Sequence, residues 1–169
     1  MTKYPHAAIV AMTGLASMGL AAPIAVPLKP LIIWNASASA PIGLYRVLPG
    51  PRLLPGDLVA VRLPDWAAEF AAERGYLPGS IPAVKRVAAA AGNVVCARSS
   101  TIMVDGRAAG TALPSDARAR PLPRWSGCHQ LRDGEIFLLN QAPESFDSRY
   151  FGPVPSRAVI GRLVALWTW

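Results

Sequence analysis

A serine hydroxyl is a poor nucleophile until a neighbouring base takes its proton. Two serines, Ser37 and Ser39, lie in the stretch Asn35-Ala36-Ser37-Ala38-Ser39-Ala40-Pro41-Ile42-Gly43-Leu44-Tyr45-Arg46, just after an apolar N-terminal segment. Bases are scarce. The chain has only two histidines, His6 and His129, neither well placed for a Ser-His-Asp triad. Lysine can replace histidine when it is neutral at working pH, and burial in apolar surroundings lowers its pKa. Lys85 lies among Ala83, Val84, Val87 and Ala88, and alternation along a strand would turn it inward and Arg86 outward. Taken alone, the Lys85-Arg86 dipeptide reads more simply as two surface charges. A late run, Ser145-Phe146-Asp147-Ser148-Arg149, adds hydroxyls and an acid next to a base.

These residues need elements to position them. β-prone runs cover 43–47, 57–62, 83–89, 93–98, 101–104, 135–139 and 159–167, with Asp105-Gly106 as a turn signal. Asp65 is placed to cap one short helix over 66–74, stopped by Gly75, with Trp66 and Phe70 on one face. Residues 107–126 are rich in Ala, Arg and Pro without periodicity and read as a mobile excursion. The sum is a mainly β domain with short helices.

At 169 residues, one domain with a modest core is expected. Hydrophobic residues make up 52% and charged ones 16%, and the apolar excess is concentrated at the start. No Asp, Glu, Lys or Arg occurs between Lys3 and Lys29, an interval long enough for the roughly 20 residues of a membrane-spanning helix. A removable signal peptide, cleaved near Gly19-Leu20-Ala21-Ala22, is the other reading. Pro23, Pro27 and Pro30 end or kink the helix. The division adopted is a membrane anchor over 1–33 and a domain over 34–169, with Trp34 at the interface and Lys3 placing the domain outside.

The net charge of +7 comes mostly from scattered arginines. No aromatic-basic signature of a nucleic-acid module is present. Anionic lipid headgroups, or simply solvent, are the expected neighbours of this basic face. Cys96 and Cys128 would pair in an oxidising compartment or remain as buried thiols. His129 beside Cys128 lacks the second pair of ligands a zinc site needs.

Read together, the motifs are more specific. Asn-x-Ser-x-Ser-x-Pro-x-Gly-Leu-Tyr-Arg, Gly-Asp-Leu-Val-x-Val, Lys-Arg-Val and Ser-x-Asp-Ser-Arg-Tyr-x-Gly follow in that order between about 34 and 164. In that order they resemble the Ser-Lys signal peptidases of family S26, in particular the conjugative transfer signal peptidases of the TraF type. The resemblance implies a signal peptidase-like β fold and a membrane-anchored serine endopeptidase working through an acyl-enzyme, without metal or cofactor. It makes Ser39 the nucleophile and Lys85 its general base, with Ser37 and the Ser39 backbone N–H binding the oxyanion. Ser145 would orient the lysine, and Asp147 would pair with Arg149.

The implied substrate is an exported precursor protein such as a propilin. The implied location is the bacterial inner membrane, single-pass, with the domain in the periplasm. Ala40 replaces a methionine common after the serine, and Ala91-Gly92-Asn93 stands where Pro-Gly-Asp is usual. Spacing leaves Ser37 open as the nucleophile, and Asn35-Ala36-Ser37 also fits a glycosylation sequon. A general signal peptidase and a noncatalytic membrane-tethered β module of a secretion apparatus are the alternatives.

Overall fold

The computed structural model describes the backbone of residues 5–25, 31–50 and 52–169, and within its first helix the side chains of residues 7–18. The chain divides into two units, residues 1–30 and 31–169. The first holds helix α1 (Pro5–Ala25), an uncharged, alanine-rich run that continues past Ala22 through Pro23. Among the described residues no helix is long and apolar enough to cross a membrane, so the transmembrane helix expected over 1–33 is not supported. Lys3, Pro27, Lys29 and Pro30 lie outside the described residues.

The second unit is mainly β. In chain order it contains β1 (Ile32–Asn35), β2 (Gly43–Leu48), β3 (Leu58–Val61), helix α2 (Asp65–Glu73), β4 (Ala83–Ala90), β5 (Val94–Arg98), β6 (Thr101–Val104) and β7 (Arg107–Thr111). Then follow β8 (Gly127–Gln130), β9 (Glu135–Leu138), helix α3 (Ser148–Phe151), β10 (Val154–Pro155) and β11 (Val159–Thr168). A seven-stranded sheet runs β1-β2-β11-β3-β4-β9-β10, and a four-stranded sheet runs β7-β6-β5-β8. Ile32 and Ile33, assigned by sequence to the end of the anchor, pair in β1 with Arg46 and Tyr45 of β2.

Strand β4 is central to the site. It lies between β3 and β9, with Lys85 opposite Val59 and Val87 opposite Leu138. Lys85 is buried and Arg86 exposed, the alternation expected of a strand. Val59, Val61, Val87, Ile136, Leu138 and Val154 form one core cluster. In a second cluster, Ala89 and Phe137 of the large sheet pack on Val95 and Ile102 of the small one, joining the two.

Two sequence expectations need correction. The segment 107–126 does not begin as an excursion: β7 folds back on β6 around Asp105 and Gly106, whose φ values of 48° and 76° suit a tight hairpin turn. Its alternating pattern is weak because β7 is an exposed edge strand, short of apolar residues. Asp65 is not the cap of α2 either. Pro64 occupies that position, and Asp65 falls inside the first turn, where its charge still suits the positive helix end.

Cys96 and Cys128 face each other across β5 and β8 and form a disulfide spanning 32 positions. The bond uses the thiol that, with His129, had suggested a metal pair. Closing a loop of that size stabilises a fold by about 3–4 kcal/mol. Replacing both cysteines by alanine should lower Tm by about 10 °C in a calorimeter. An unchanged Tm would mean that loop closure contributes nothing here.

Candidate active site

Ser37 and Ser39 sit in the loop that joins β1 to β2. Asn35 holds this loop from within: its Nδ2 faces the carbonyl oxygens of Ser37 (2.9 Å), Ala40 (3.1 Å) and Pro41 (3.0 Å). Its Oδ1 accepts from the Ser37 backbone N–H at 3.2 Å. The Tyr45 hydroxyl donates to Pro41 O at 2.6 Å from the strand that follows. The loop exits through Gly43 at φ +153°, where a Cβ would fall 2.1 Å from the Trp167 carbonyl oxygen. Only glycine lets the chain leave the serine loop against β11.

Lys85 Nζ donates to Ser145 Oγ at 2.9 Å. Burial lowers the Lys85 pKa to about 8, with Asp147 pulling it up and Arg149 pushing it down. Asp147 and Arg149 form a buried ion pair, with Nε to Oδ1 at 2.8 Å and Nη2 to Oδ2 at 3.1 Å. The remaining guanidinium N–H groups reach the carbonyl oxygens of Thr111 (3.0 Å), Pro143 (3.0 Å) and Asn140 (2.6 Å). The Asp147 carboxylate also accepts from the backbone N–H groups of Asn140 (3.0 Å) and Arg149 (3.2 Å). It is committed to these partners rather than to the lysine.

Ser37, Ser39, Lys85 and Ser145 line one cavity of about 510 Å³, walled on its apolar side by Leu63, Tyr76, Leu77, Ile81 and Phe146. Ser39 Oγ lies 3.0 Å from Ser37 Oγ and 3.3 Å from Asn140 Nδ2. Among the described residues, Lys85 Nζ bonds to Ser145 and not to Ser39. The Ser39 backbone N–H donates to Ser37 Oγ, 3.4 Å away, which places a backbone and a side-chain donor beside the Ser39 hydroxyl. A hydroxyl, an amine with a lowered pKa and nearby hydrogen-bond donors are the groups acyl transfer needs.

Of the residues singled out from sequence, Ser37, Ser39, Lys85 and Ser145 line the cavity and Asp147 and Arg149 pair behind Lys85, whereas Cys96 and Cys128 lie apart in the small sheet. The sequence reading missed Asn140 and gave Asn35 no role beyond its motif. Asn140 follows the apolar run Ile136-Phe137-Leu138-Leu139 and is 3% exposed. A lone amide ending a buried strand is the signal that could have found it.

A model of the signal peptidase family, peptidase S26, matches residues 6–169. A probable conjugal transfer protein TraF from Sinorhizobium fredii is 36% identical over 75% of this chain and 72% of its own length. A plasmid transfer protein TraF from Escherichia coli is 32% identical over 80% of this chain and 82% of its own. Among solved structures, a signal peptidase I from Enterococcus faecalis aligns at a TM-score of 0.41 and 20% identity, over 68% of this chain and 98% of that one.

Lys85 is the only lysine in residues 31–169, so ¹³C-labelled lysine gives it an assignable NMR signal. It should titrate near pH 8; a midpoint at the ordinary value of about 10.4 would remove burial as the governing factor. The sign for stability follows from the lowered pKa. The burial cost is fully present below the folded pKa and gone above the unfolded one. Lys85→Met should thus raise Tm at pH 7 by more than it does at pH 10, read by calorimetry at both.

Proposed function

Since the chain belongs to the signal peptidase family, peptidase S26, we propose that it is a serine endopeptidase with a Ser39–Lys85 dyad that cuts exported precursor proteins in a conjugative transfer system. The observation that carries this reading is Lys85 itself: a buried amine with a pKa lowered to about 8, sharing a cavity with Ser39. Neutral Lys85 takes the proton of Ser39 as Oγ attacks the scissile carbonyl carbon. The oxyanion is met by the Ser39 backbone N–H and the Ser37 hydroxyl. Protonated Lys85 then gives its proton to the leaving amine, and an acyl-enzyme on Ser39 remains. Water, deprotonated by Lys85, releases it. Ser145 aims the lysine throughout, through its 2.9 Å hydrogen bond.

The relatives named conjugal and plasmid transfer proteins support a substrate in that system, and we take it to be a pilin precursor. The largely apolar cavity wall suits a peptide with small apolar residues before the cut.

Membrane attachment is part of the same reading. Trp34, Trp167 and Trp169 cluster with centroids 4.8–6.4 Å apart and stand 50–64% exposed beside Leu31, Ile32 and Leu166. Aromatic clusters of this kind favour the membrane–water interface, and Trp34 also lines the cavity. The proposal puts the N-terminal segment in the inner membrane as an anchor and residues 31–169 in the periplasm, where a disulfide persists.

Two measurements test this reading. Co-expressed pilin precursor should be cleaved by the wild type, with the product identified by mass spectrometry. Ser39→Ala and Lys85→Ala should lose at least about a thousandfold in rate, and Ser37→Ala about a hundredfold. Full activity in Ser39→Ala would move the nucleophile to Ser37 or end the reading. Separately, the full chain should stay with membranes after an alkaline carbonate wash; its release would show peripheral attachment only.

A further inference from the structure

We propose that Asn140 is the positioning residue of the dyad. Its side-chain amide donates to Ser39 Oγ and so leaves the serine's own hydrogen free to pass to Lys85. The inference rests on the Ser39–Lys85 reading above and assigns a further residue to that site.

The amide orientation is set independently of Ser39. Asn140 Oδ1 accepts from the Arg86 backbone N–H at 2.9 Å, and Nδ2 donates to Val84 O at 3.2 Å. Those two backbone groups flank Lys85 on β4. A flipped amide would set N–H against N–H and oxygen against oxygen, so the assignment is forced by the strand. The other hydrogen on Nδ2 then faces Ser39 Oγ, 3.3 Å away.

Asn140 is in turn held by its main chain. Its N–H donates to Asp147 Oδ2 at 3.0 Å and its carbonyl oxygen accepts from Arg149 Nη2 at 2.6 Å. One residue therefore touches the nucleophile, both sides of the base on its strand, and the ion pair behind them. Among the described residues, the only other hydrogen-bond partner of Ser39 Oγ is Ser37, on the same loop. Asn140 is the tie between that loop and β4.

The chemical consequence follows from donor and acceptor roles. Because Ser39 Oγ accepts from Asn140, its own hydrogen must point elsewhere, to Ser37 Oγ or to neutral Lys85. As the proton passes to Lys85 Nζ, negative charge grows on Oγ and the Asn140 hydrogen bond strengthens. Such a contact acts more on the transition state than on the bound substrate, so its loss appears in kcat rather than KM.

The test uses the full-length enzyme in detergent micelles with a purified pilin precursor, across pH 6 to 10. Asn140→Ala should lower kcat by about 10- to 100-fold, with KM within twofold and the Lys85 titration unmoved. Asn140→Asp keeps the acceptor for the Arg86 N–H but adds a carboxylate beside the dyad. It should raise the Lys85 pKa and move the acid limb of the kcat profile up by at least about one pH unit. The charged groups already around Lys85 stay the same in all variants. They are Asp147 and Arg149 behind it, Glu144 on the cavity rim and Arg86 next along β4, while β3 presents Val59.

Unchanged kcat in Asn140→Ala overturns the proposal. So do two variants that lose kcat and Tm together while keeping the wild-type pH profile, since that marks a purely structural amide. Ser39→Ala in the same series separates the two levels. An inactive Ser39→Ala beside a fully active Asn140→Ala removes only this inference, whereas an active Ser39→Ala removes the dyad and the inference with it.

Discussion

The buried ion pair of Asp147 and Arg149 is the interaction on which the site depends. Two charges taken out of water cost more in desolvation than their attraction returns, unless the remaining donors and acceptors are matched. Here they are matched. Every guanidinium N–H has an acceptor, and each carboxylate oxygen has two donors. The acceptors come from the end of β7 (Thr111) and from the turn after β9 (Asn140, Pro143). The pair thereby fixes the turn that presents Ser145 to Lys85 and Asn140 to Ser39. Removing one partner would leave a bare charge in the core, at a cost of about 3–5 kcal/mol.

The same pairing shows how an acid can lie near a lysine whose pKa is lowered. A free carboxylate against Lys85 would hold the ammonium form. With Arg149 bound to Asp147, the two opposing influences on Lys85 are set against each other and burial decides the direction. Burial in turn depends on β4 being interior to the large sheet, with β3 on one side and β9 on the other. The small sheet and its disulfide serve this indirectly, since the Ala89–Phe137–Val95–Ile102 cluster backs β4 and β9. Chemistry at Nζ is thus linked to packing two strands away.

Much of this was legible in the sequence, and what was not has a common cause. Alternation along 83–89 turns Lys85 inward and Arg86 outward, as β4 does. Order along the chain brings Ser37, Ser39, Lys85, Ser145, Asp147 and Arg149 to one place, because each motif carries its own local geometry. Strand β7, with no buried residue, left no alternating apolar pattern to read, and β8 is nearly as exposed. Asn35 and Asn140 were silent for another reason. An asparagine's role is set by which backbone groups meet its two ends, and those groups come from strands far along the chain: Asn140 reads Val84 and Arg86. Composition and periodicity carry no record of such meetings.

On the proposed reading, the cleft bears on the protonation of Lys85. With a pKa of about 8, only about one-tenth of Lys85 is neutral at pH 7. The cavity of about 510 Å³ is lined by Leu63, Leu77, Ile81 and Phe146 together with Ser39 and Lys85. A peptide filling it would replace water beside Nζ with apolar atoms, and the ammonium form would lose solvation that the neutral amine does not need. On the proposed reading, a docked peptide would therefore favour the neutral amine as it brings a scissile carbonyl to Ser39. The amine would then be neutral in a larger fraction of molecules, though intrinsically a weaker base, when there is a bond to cut. The resting protein would bear less of the cost of a dehydrated lysine.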